Sequence, residues 1–486
     1  MKYLSGLFLV LCCTAAFAGG QAPPNFVFVL VDDLGRQDVG VYGSSLYETP
    51  GMDQLAADGM RFDNAYVTHP RCLPSRLSLM SGRYPASYGI PGFQDRKNTK
   101  HALPLAAVTF AEVLREAGYQ TGYIGKWHLG KAGGEPIYQG FDTSIMAGAS
   151  GAPPSYFFPY EKRAEGSEFK KFEPYEGGEQ GEYLADRLTD EALRFIEDKK
   201  EAPFLLVLAH YAVHTPIQAP EEISEKYRKK IKENGVPEGG TKSDRDVAVD
   251  NTGEYKTVQN NAVYAAMVEN VDTNLGRIIE RLDQLGLSDN TVVILSSDHG
   301  GLSSRGLGNK RELATSNLPY RQGKGWLYDG GIRVPMIVKW PAQVKPGSIS
   351  QVQVTGTDHY PTLLEMARVP LQPEQHRDGR SYLAALQGKD YERDPMFFHS
   401  ALGRPAQTGD TRSSAVIDGD WKLIQWYSLE DQSIERTELF NLADDPYEKE
   451  DLYPSNTEKA GQLEALLNEW KLSVNARLGQ FKRGGI

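Results

Sequence analysis

The sequence predicts an α/β protein, with a large, mainly parallel sheet sandwiched by helices and a smaller C-terminal antiparallel α+β domain. Three observations carry that prediction. Short apolar runs rich in β-branched residues alternate with helical patterns up to about Gly388. Polar residues with chemical potential recur just past the ends of those runs, where open α/β sheets place their sites. Beyond Gly388 the spacing shortens to brief strands joined by tight turns and closed by one amphipathic helix.

Residues 25–31 (NFVFVLV), 122–124, 204–209 (FLLVLA), 291–295 (TVVIL) and 334–338 (VPMIV) read as strands covered on both faces, because their apolar runs are continuous. A helix over 106–117 is expected to close at Gly118, a residue that takes a left-handed cap without steric cost. A longer helix over 261–285 follows from Val263, Met267, Val271, Leu275, Ile278, Leu282 and Leu285, which recur every three or four residues until Gly286. Residues 160–183 and 221–256 are polar and are expected to be surface insertions. Further on, 395–399, 414–417, 422–426 and 438–440 read as strands, Asp418-Gly419-Asp420 as a turn, and 457–477 as a helix. The expected organisation is a larger domain over 22–388 and a smaller one over 389–486.

The 486 residues are 40% apolar and 24% charged, an ordinary globular balance, and the net charge of −11 lacks the basic footprint that nucleic acid requires. Lys2, an apolar run from Leu4 to Phe17, and Ala16-Phe17-Ala18 before two glycines form a secretory signal over residues 1–18. The run falls short of the ~20 residues that a membrane-spanning helix needs, so no stable membrane anchor is expected. The protein is accordingly expected to be exported, to the periplasm or outside the cell. Of three cysteines, Cys12 and Cys13 lie in that signal. Cys72 therefore remains alone in the mature chain, and is inert, paired between chains, or chemically used.

Asp32 and Asp33 end the first predicted strand, Lys126 and His128 follow the second, His210 and His214 the third, and Asp298 and His299 the fourth. A single aspartate there is ordinarily a cap or turn residue, but four such groups on one sheet edge point to a site. Adjacent carboxylates repel unless a positive charge neutralises them. Asp32, Asp33 and Asp298 offer hard oxygens suited to one divalent cation, Ca²⁺ with Mg²⁺ as the alternative, while His299 adds a nitrogen. Cys72 precedes Pro74, a residue suited to a helix's first turn, so the thiol is placed at a helix N-terminus near Arg76. Dipole and guanidinium both stabilise negative charge there, which favours an activated nucleophile over an inert thiol.

Cys72-Leu73-Pro74-Ser75-Arg76 with Ser81-Gly82-Arg83 resembles the signature of the type I sulfatases, whose cysteine is oxidised after translation to formylglycine. The resemblance extends to Val31-Asp32-Asp33-Leu34-Gly35, Gly125-Lys126-Trp127-His128-Leu129-Gly130, His214-Thr215-Pro216, Ser297-Asp298-His299-Gly300, Gly323-Lys324-Gly325-Trp326 and Gly330-Gly331-Ile332-Arg333-Val334-Pro335. It implies an alkaline phosphatase-like fold and hydrolysis of sulfate esters on a sulfated glycan. It implies a metal held by Asp32, Asp33, residue 72, Asp298 and His299, and a maturation enzyme that acts on the Cys72 motif. In that mechanism residue 72 is a hydrated aldehyde whose oxygen attacks sulfur, with Arg76 orienting it and Lys126 bridging to the sulfate. His214, with Lys324, protonates the leaving sugar oxygen, and His128 takes the proton that lets sulfate depart. Ser75 receives no catalytic role.

Two other readings share these residues: a phosphonate or phosphodiester hydrolase of the same superfamily, and a non-catalytic secreted glycan-binding protein on this scaffold. His299 stands where many sulfatases carry asparagine, which predicts that acid weakens metal binding. His210 is expected to be structural, and His359, His376, His399 and Tyr360 to be packing or rim residues. Lys310, Arg311 and Arg321, with Arg305 and Arg333, are expected to line a basic cleft that offsets the acidic balance.

Overall fold

The computed structural model describes residues 22–89, 103–130, 133–161, 177–239, 246–250 and 253–479. The signal segment over 1–18 lies outside the described residues, as does most of the polar stretch over 160–183. In chain order the strands are β1 (Asn25–Val31), β2 (Met60–Tyr66), β3 (Gln120–Gly125), β4 (Thr143–Ile145), β5 (Phe204–Ala209), β6 (Val247–Asp250), β7 (Gly253–Lys256), β8 (Thr291–Ser297), β9 (Ser304–Gly306), β10 (Met336–Lys339), β11 (Ser348–Thr355), β12 (Met396–Ser400), β13 (Ser413–Asp418), β14 (Trp421–Tyr427) and β15 (Ile434–Asn441).

Eight of them form one sheet in the order β11-β2-β10-β8-β1-β5-β3-β4. Every residue of β1 is buried, and the two-residue period divides them between two cores. Val27, Val29 and Val31 join the core under the helix Ala262–Gln284, whereas Phe26, Phe28 and Leu30 join the one under Phe110–Glu116 and His359–Met366. Continuous apolar runs are what a sheet covered on both faces demands. Asn261 caps the long helix by accepting from the Tyr264 N–H, and Gly286 ends it at φ +69°. The helix expected over 106–117 begins later, because Thr109 and Glu112 form a reciprocal capping box that fixes its start at Phe110.

The strand expected over 334–338 is β10, which runs antiparallel to both β2 and β8. Apolar continuity reports burial but carries no direction, so it could not show that this strand alone is reversed in a sheet that is otherwise parallel, as the mainly parallel reading expected. β2 and β11 were not predicted. Polar residues interrupt both, as in MRFDNAY and SISQVQVT, because this end of the sheet is only half covered. The polar stretch over 221–256 is also more than a surface insertion. Its first part is the helix Glu221–Glu233, which buries Tyr227 and Ile231 against the main core, and its end forms β6 and β7 beside β9.

The smaller sheet is β12-β13-β14-β15, antiparallel throughout. One face packs under the helix Thr457–Ser473 through Val416, Leu423, Leu439, Leu463, Leu467 and Trp470. The other packs on Tyr66, Trp326, Tyr328 and Ile332 of the larger unit. Within this contact Lys422, fully buried, reaches Asp329 at 2.7 Å and Glu448 at 2.6 Å. No helix among the described residues is long and apolar enough to cross a membrane.

Candidate active site and metal centre

Strands β8, β1, β5 and β3 are neighbours in the sheet, so the four polar groups that follow them emerge side by side, about 5 Å apart strand to strand. Backbone hydrogen bonds continue past the strand ends and hold these segments in place. Asp32 N–H donates to Ala212 at 3.0 Å, Val213 N–H to Asp32 at 2.7 Å, and Lys126 N–H to Ala209 at 2.7 Å. Asp33 and His128 sit at φ +63° and +65°, the left-handed region that turns the chain sharply and re-aims the side chain.

The remaining groups arrive from elsewhere. Cys72 is the first residue of the helix Cys72–Ser81, which ends at Gly82 with φ +66°. Lys324 is brought in by a loop whose N–H groups at 324 and 325 donate to Gly301 and Pro70, at 3.0 and 2.9 Å.

These residues form one buried cluster. Asp32, Cys72, Asp298 and His299 each bring a ligand-type atom within 4.8 Å of the others, and Asp32, Asp33, Cys72 and His214 form an overlapping group. Cys72 Sγ lies 3.1 Å from His299 Nε2, which is 3.2 Å from Asp33 and 3.5 Å from Asp298. The His299 Nδ1–H donates to the Gly300 carbonyl at 3.0 Å, leaving Nε2 to face the carboxylates. Cations alternate with the acids. Lys126 pairs with Asp32, Lys324 bonds Asp33 at 2.6 and 2.9 Å, and Arg76 Nε reaches Asp298 at 2.7 Å. Arg76 also donates to the Lys126 carbonyl at 2.6 Å, tying the Cys72 helix to the end of β3.

Burial raises the Cys72 thiol, but Lys126, Lys324 and His299 outweigh it and hold the group well below its usual range. Burial and the nearby Asp298 push Asp32 well up, against the pull of Lys126. Asp33 goes the other way: Lys324 and His214 overcome its burial. Burial pulls His299 down, yet Asp298, Cys72 and Asp33 win, and its net direction is upward. Burial takes His128 to about 4 and His214 to about 3, so both imidazoles are neutral at ordinary pH. The His214 Nδ1–H donates to the Thr215 carbonyl at 2.7 Å, and Nε2 lies 3.9 Å from Asp33.

The cluster floors a cavity of about 750 Å³, lined by Cys72, His128, His214 and Lys324 together with Arg71, Asn309, Arg311, Arg404 and Gln407. The basic cleft expected from sequence is corrected here. Of the five residues named, only Arg311 lines the cavity. Lys310 is exposed outside it, while Arg305 pairs with Glu254, Arg321 with Asp250 and Arg333 with Asp329. Sequence reasoning missed Arg71, Arg404 and Gln407. Arg71 adjoins Cys72 and was open to notice, but 404 and 407 are more than 300 positions distant and carry no local signal. Arg71 is joined to Asp410 at 2.6 Å, which binds the segment holding 404 and 407 to the Cys72 helix.

His210 is buried and does not line the Cys72 cavity; its backbone N–H donates to Leu30, and its ring nitrogens have no hydrogen-bond partner among the described residues. His359 bonds Tyr382, His399 bonds Ser414, and His376 accepts from the Gln372 N–H, and none of the three lines the Cys72 cavity.

Gly151 faces His128 so closely that a Cβ there would stand 2.5 Å from Cε1 and 2.7 Å from Nε2. Gly151→Ala is therefore expected to displace the imidazole and lower turnover about 10- to 100-fold, the range a displacement near 1 Å produces. Steady-state kinetics with a parallel thermal melt checks this. Unchanged turnover would show that His128 tolerates the shift.

Fold and site together define a protein of the α/β class with an acidic, cation-laced centre set against a cysteine at a helix N-terminus. A sulfatase family model matches residues 24–369, and one described as N-sulphoglucosamine sulphohydrolase, C-terminal, matches residues 322–473. The chain belongs to the sulfatase family and is a sulfuric ester hydrolase. It is 28% identical to an N-acetylgalactosamine-6-O-sulfatase of Bacteroides thetaiotaomicron, over 92% of this chain and 93% of that protein. The human N-acetylgalactosamine-6-sulfatase is 30% identical, over 84% and 73%. Among solved structures, Ps i-CgsB in complex with k-i-k-neocarrahexaose superposes with a TM-score of 0.76 at 29% identity, covering 95% of each chain.

Proposed function

We propose that this protein hydrolyses a sulfate ester on a sulfated glycan, using formylglycine at position 72 and one bound divalent cation, Ca²⁺. The observation that carries the reading is the single cluster of Cys72 with Asp32, Asp33, Asp298 and His299, laced by Lys126, Lys324 and Arg76. Three carboxylates and an imidazole suit a divalent cation. The buried Asp32 Oδ1 lacks any hydrogen-bond partner and so offers a free acceptor lone pair. When bound, the cation supplies charge neutralisation and polarises the sulfate oxygens.

The chain's own groups account for the rest. Arg76, held on Asp298, orients residue 72. Lys126 and Lys324 direct N–H donors at sulfate oxygens, where charge grows during transfer. His214 and Lys324 share Asp33. This pair delivers the proton to the departing sugar oxygen, with His214 Nε2 as the transferring atom. His128, neutral because it is buried, accepts the proton at residue 72 that releases sulfate. Residues 22–388 would form the catalytic unit, and 389–486 would add Arg404 and Gln407 to the cavity wall. The signal over 1–18 supports export, and a formylglycine-generating enzyme is the required partner in maturation. Glycan as substrate class is supported by the relatives' names and by the polar cavity wall.

Mass spectrometry of the tryptic peptide Cys72 to Arg76, from protein purified from its native source, tests the reading. An intact thiol would overturn it. Faster turnover of an aryl phosphate diester than of a sulfate ester would instead favour the phosphodiester reading.

A proton on His299 competes with the cation, and the acids around it raise its pKa. Calcium affinity is therefore expected to fall on acidification, beginning above the ordinary imidazole value of about 6.5 and approaching tenfold per pH unit. Calorimetric calcium titrations from about pH 8 to about pH 5 check this across that imidazole range. A flat affinity would remove His299 from the ligand set.

A further inference from the structure

The acids and cations of the site pair off: Lys126 with Asp32, Lys324 with Asp33, Arg76 with Asp298, and Arg71 with Asp410. Arg311 breaks the pattern. It lines the same cavity as Cys72, His214 and Lys324, yet among the described residues its guanidinium has no carboxylate or hydrogen-bond partner. Its backbone, by contrast, is braced. The N–H donates to Asn309 Oδ1 at 2.6 Å, and the carbonyl accepts from Arg305, itself clamped by Glu254 at 2.6 Å. A guanidinium largely withdrawn from water without a directly paired carboxylate is costly. Burial pushes its pKa down, helped by the neighbouring Arg71 and only partly opposed by Asp33 and Cys72. A fixed backbone with an uncommitted head is what a ligand-directed cation requires, because the cost is offset only when an anion arrives.

We propose that Arg311 forms a second anion subsite, taking a further sulfate or a carboxylate carried by the substrate sugar or its neighbour. The planar guanidinium fork matches either oxyanion with two parallel hydrogen bonds. Asn309, Arg404 and Gln407 lie on the same cavity wall and supply polar neighbours for the sugar. Arg404 donates to Gln407 at 3.3 Å. The subsite makes the enzyme selective for sugars bearing two anionic groups, one cleaved and one held. This inference rests on the sulfate-ester reading of the Cys72 site.

The test is binding calorimetry on the full calcium-loaded chain in a Cys72→Ala background, which stops turnover. The probes are N-acetylgalactosamine and galactose monosulfates, their disulfates, and a monosulfated disaccharide carrying a uronate. At least one two-anion probe is expected to bind about tenfold or more tighter than its one-anion counterpart, the gain a charge-assisted pair provides. Arg311→Gln should reduce that ratio to near one, whereas Lys310→Gln, on the exposed side, should preserve it. Loss confined to the disulfates identifies a second sulfate, and loss confined to the uronate probe identifies a carboxylate. No two-anion advantage, or one that survives Arg311→Gln, overturns the proposal. Failure of the parent reading is separate: it appears as an intact thiol at residue 72 and no sulfate release by the unmutated protein.

Discussion

Cys72→Ala is expected to lower sulfate-ester turnover by on the order of 10⁴-fold or more, the loss typical of removing a covalent nucleophile from a unit that acts together. The expectation has a structural side. Cys72 sits at a helix N-terminus, 3.1 Å from His299 and facing Lys126 and Lys324, which pull its pKa down. The variant should therefore fold, with a melting temperature within a few degrees of the parent, because it removes one small side chain from a polar cluster rather than from either apolar core. Cys72→Ser separates two possibilities. A serine that restores a substantial share of activity would mean that an ordinary oxygen nucleophile suffices. A serine as inactive as alanine supports the need for the oxidised residue. Release of free sulfate, measured directly, is the readout for all three proteins.

Lys126→Met should have the next largest effect, and should divide into two measurable parts. The ammonium is fully buried against Asp32, while the stem fills space that methionine retains. Removing the charge leaves Asp32 beside Asp33 and Asp298 without its partner, so the metal-free protein should lose about 3–5 kcal/mol of stability, as broken buried ion pairs do. A divalent cation neutralises the same carboxylates, so calcium should restore much of that loss by mass action. Turnover should not recover. If Lys126 donates to the sulfate as proposed, losing that N–H donor is expected to cost about 10²- to 10³-fold. Denaturant melts with and without calcium, alongside kinetics at saturating calcium, separate the two effects. If calcium restored turnover as well as stability, Lys126 would be a charge-balancing residue only.

Much of the site was legible because the chemistry is written locally. The pair Asp32-Asp33, the block around Lys126 and His128, and the pair Asp298-His299 each lie at a strand end that apolar runs already marked, and Pro74 marked the helix start at Cys72. Burial on both sheet faces makes the apolar signal strong, and β1 and β5 were predicted to the residue. The half-covered end of the sheet was less legible. In β2 and β11 polar residues break the pattern, and the reversed direction of β10 leaves no trace in its composition.

The substrate-facing wall divides in the same way. By itself the sequence marked the candidate groups and the strand ends that carry several of them, because each such signal depends on neighbours a few positions away. Only the tertiary structure decided which of the many basic residues face the cavity. Arg305, Arg321 and Arg333 are consumed by Glu254, Asp250 and Asp329. Arg311 is left uncommitted beside Arg71 and Arg404. Arg333 meets a carboxylate four positions away, but the partners of Arg305 and Arg321 stand 51 and 71 positions away, and local sequence pattern carries no information about such distant partners.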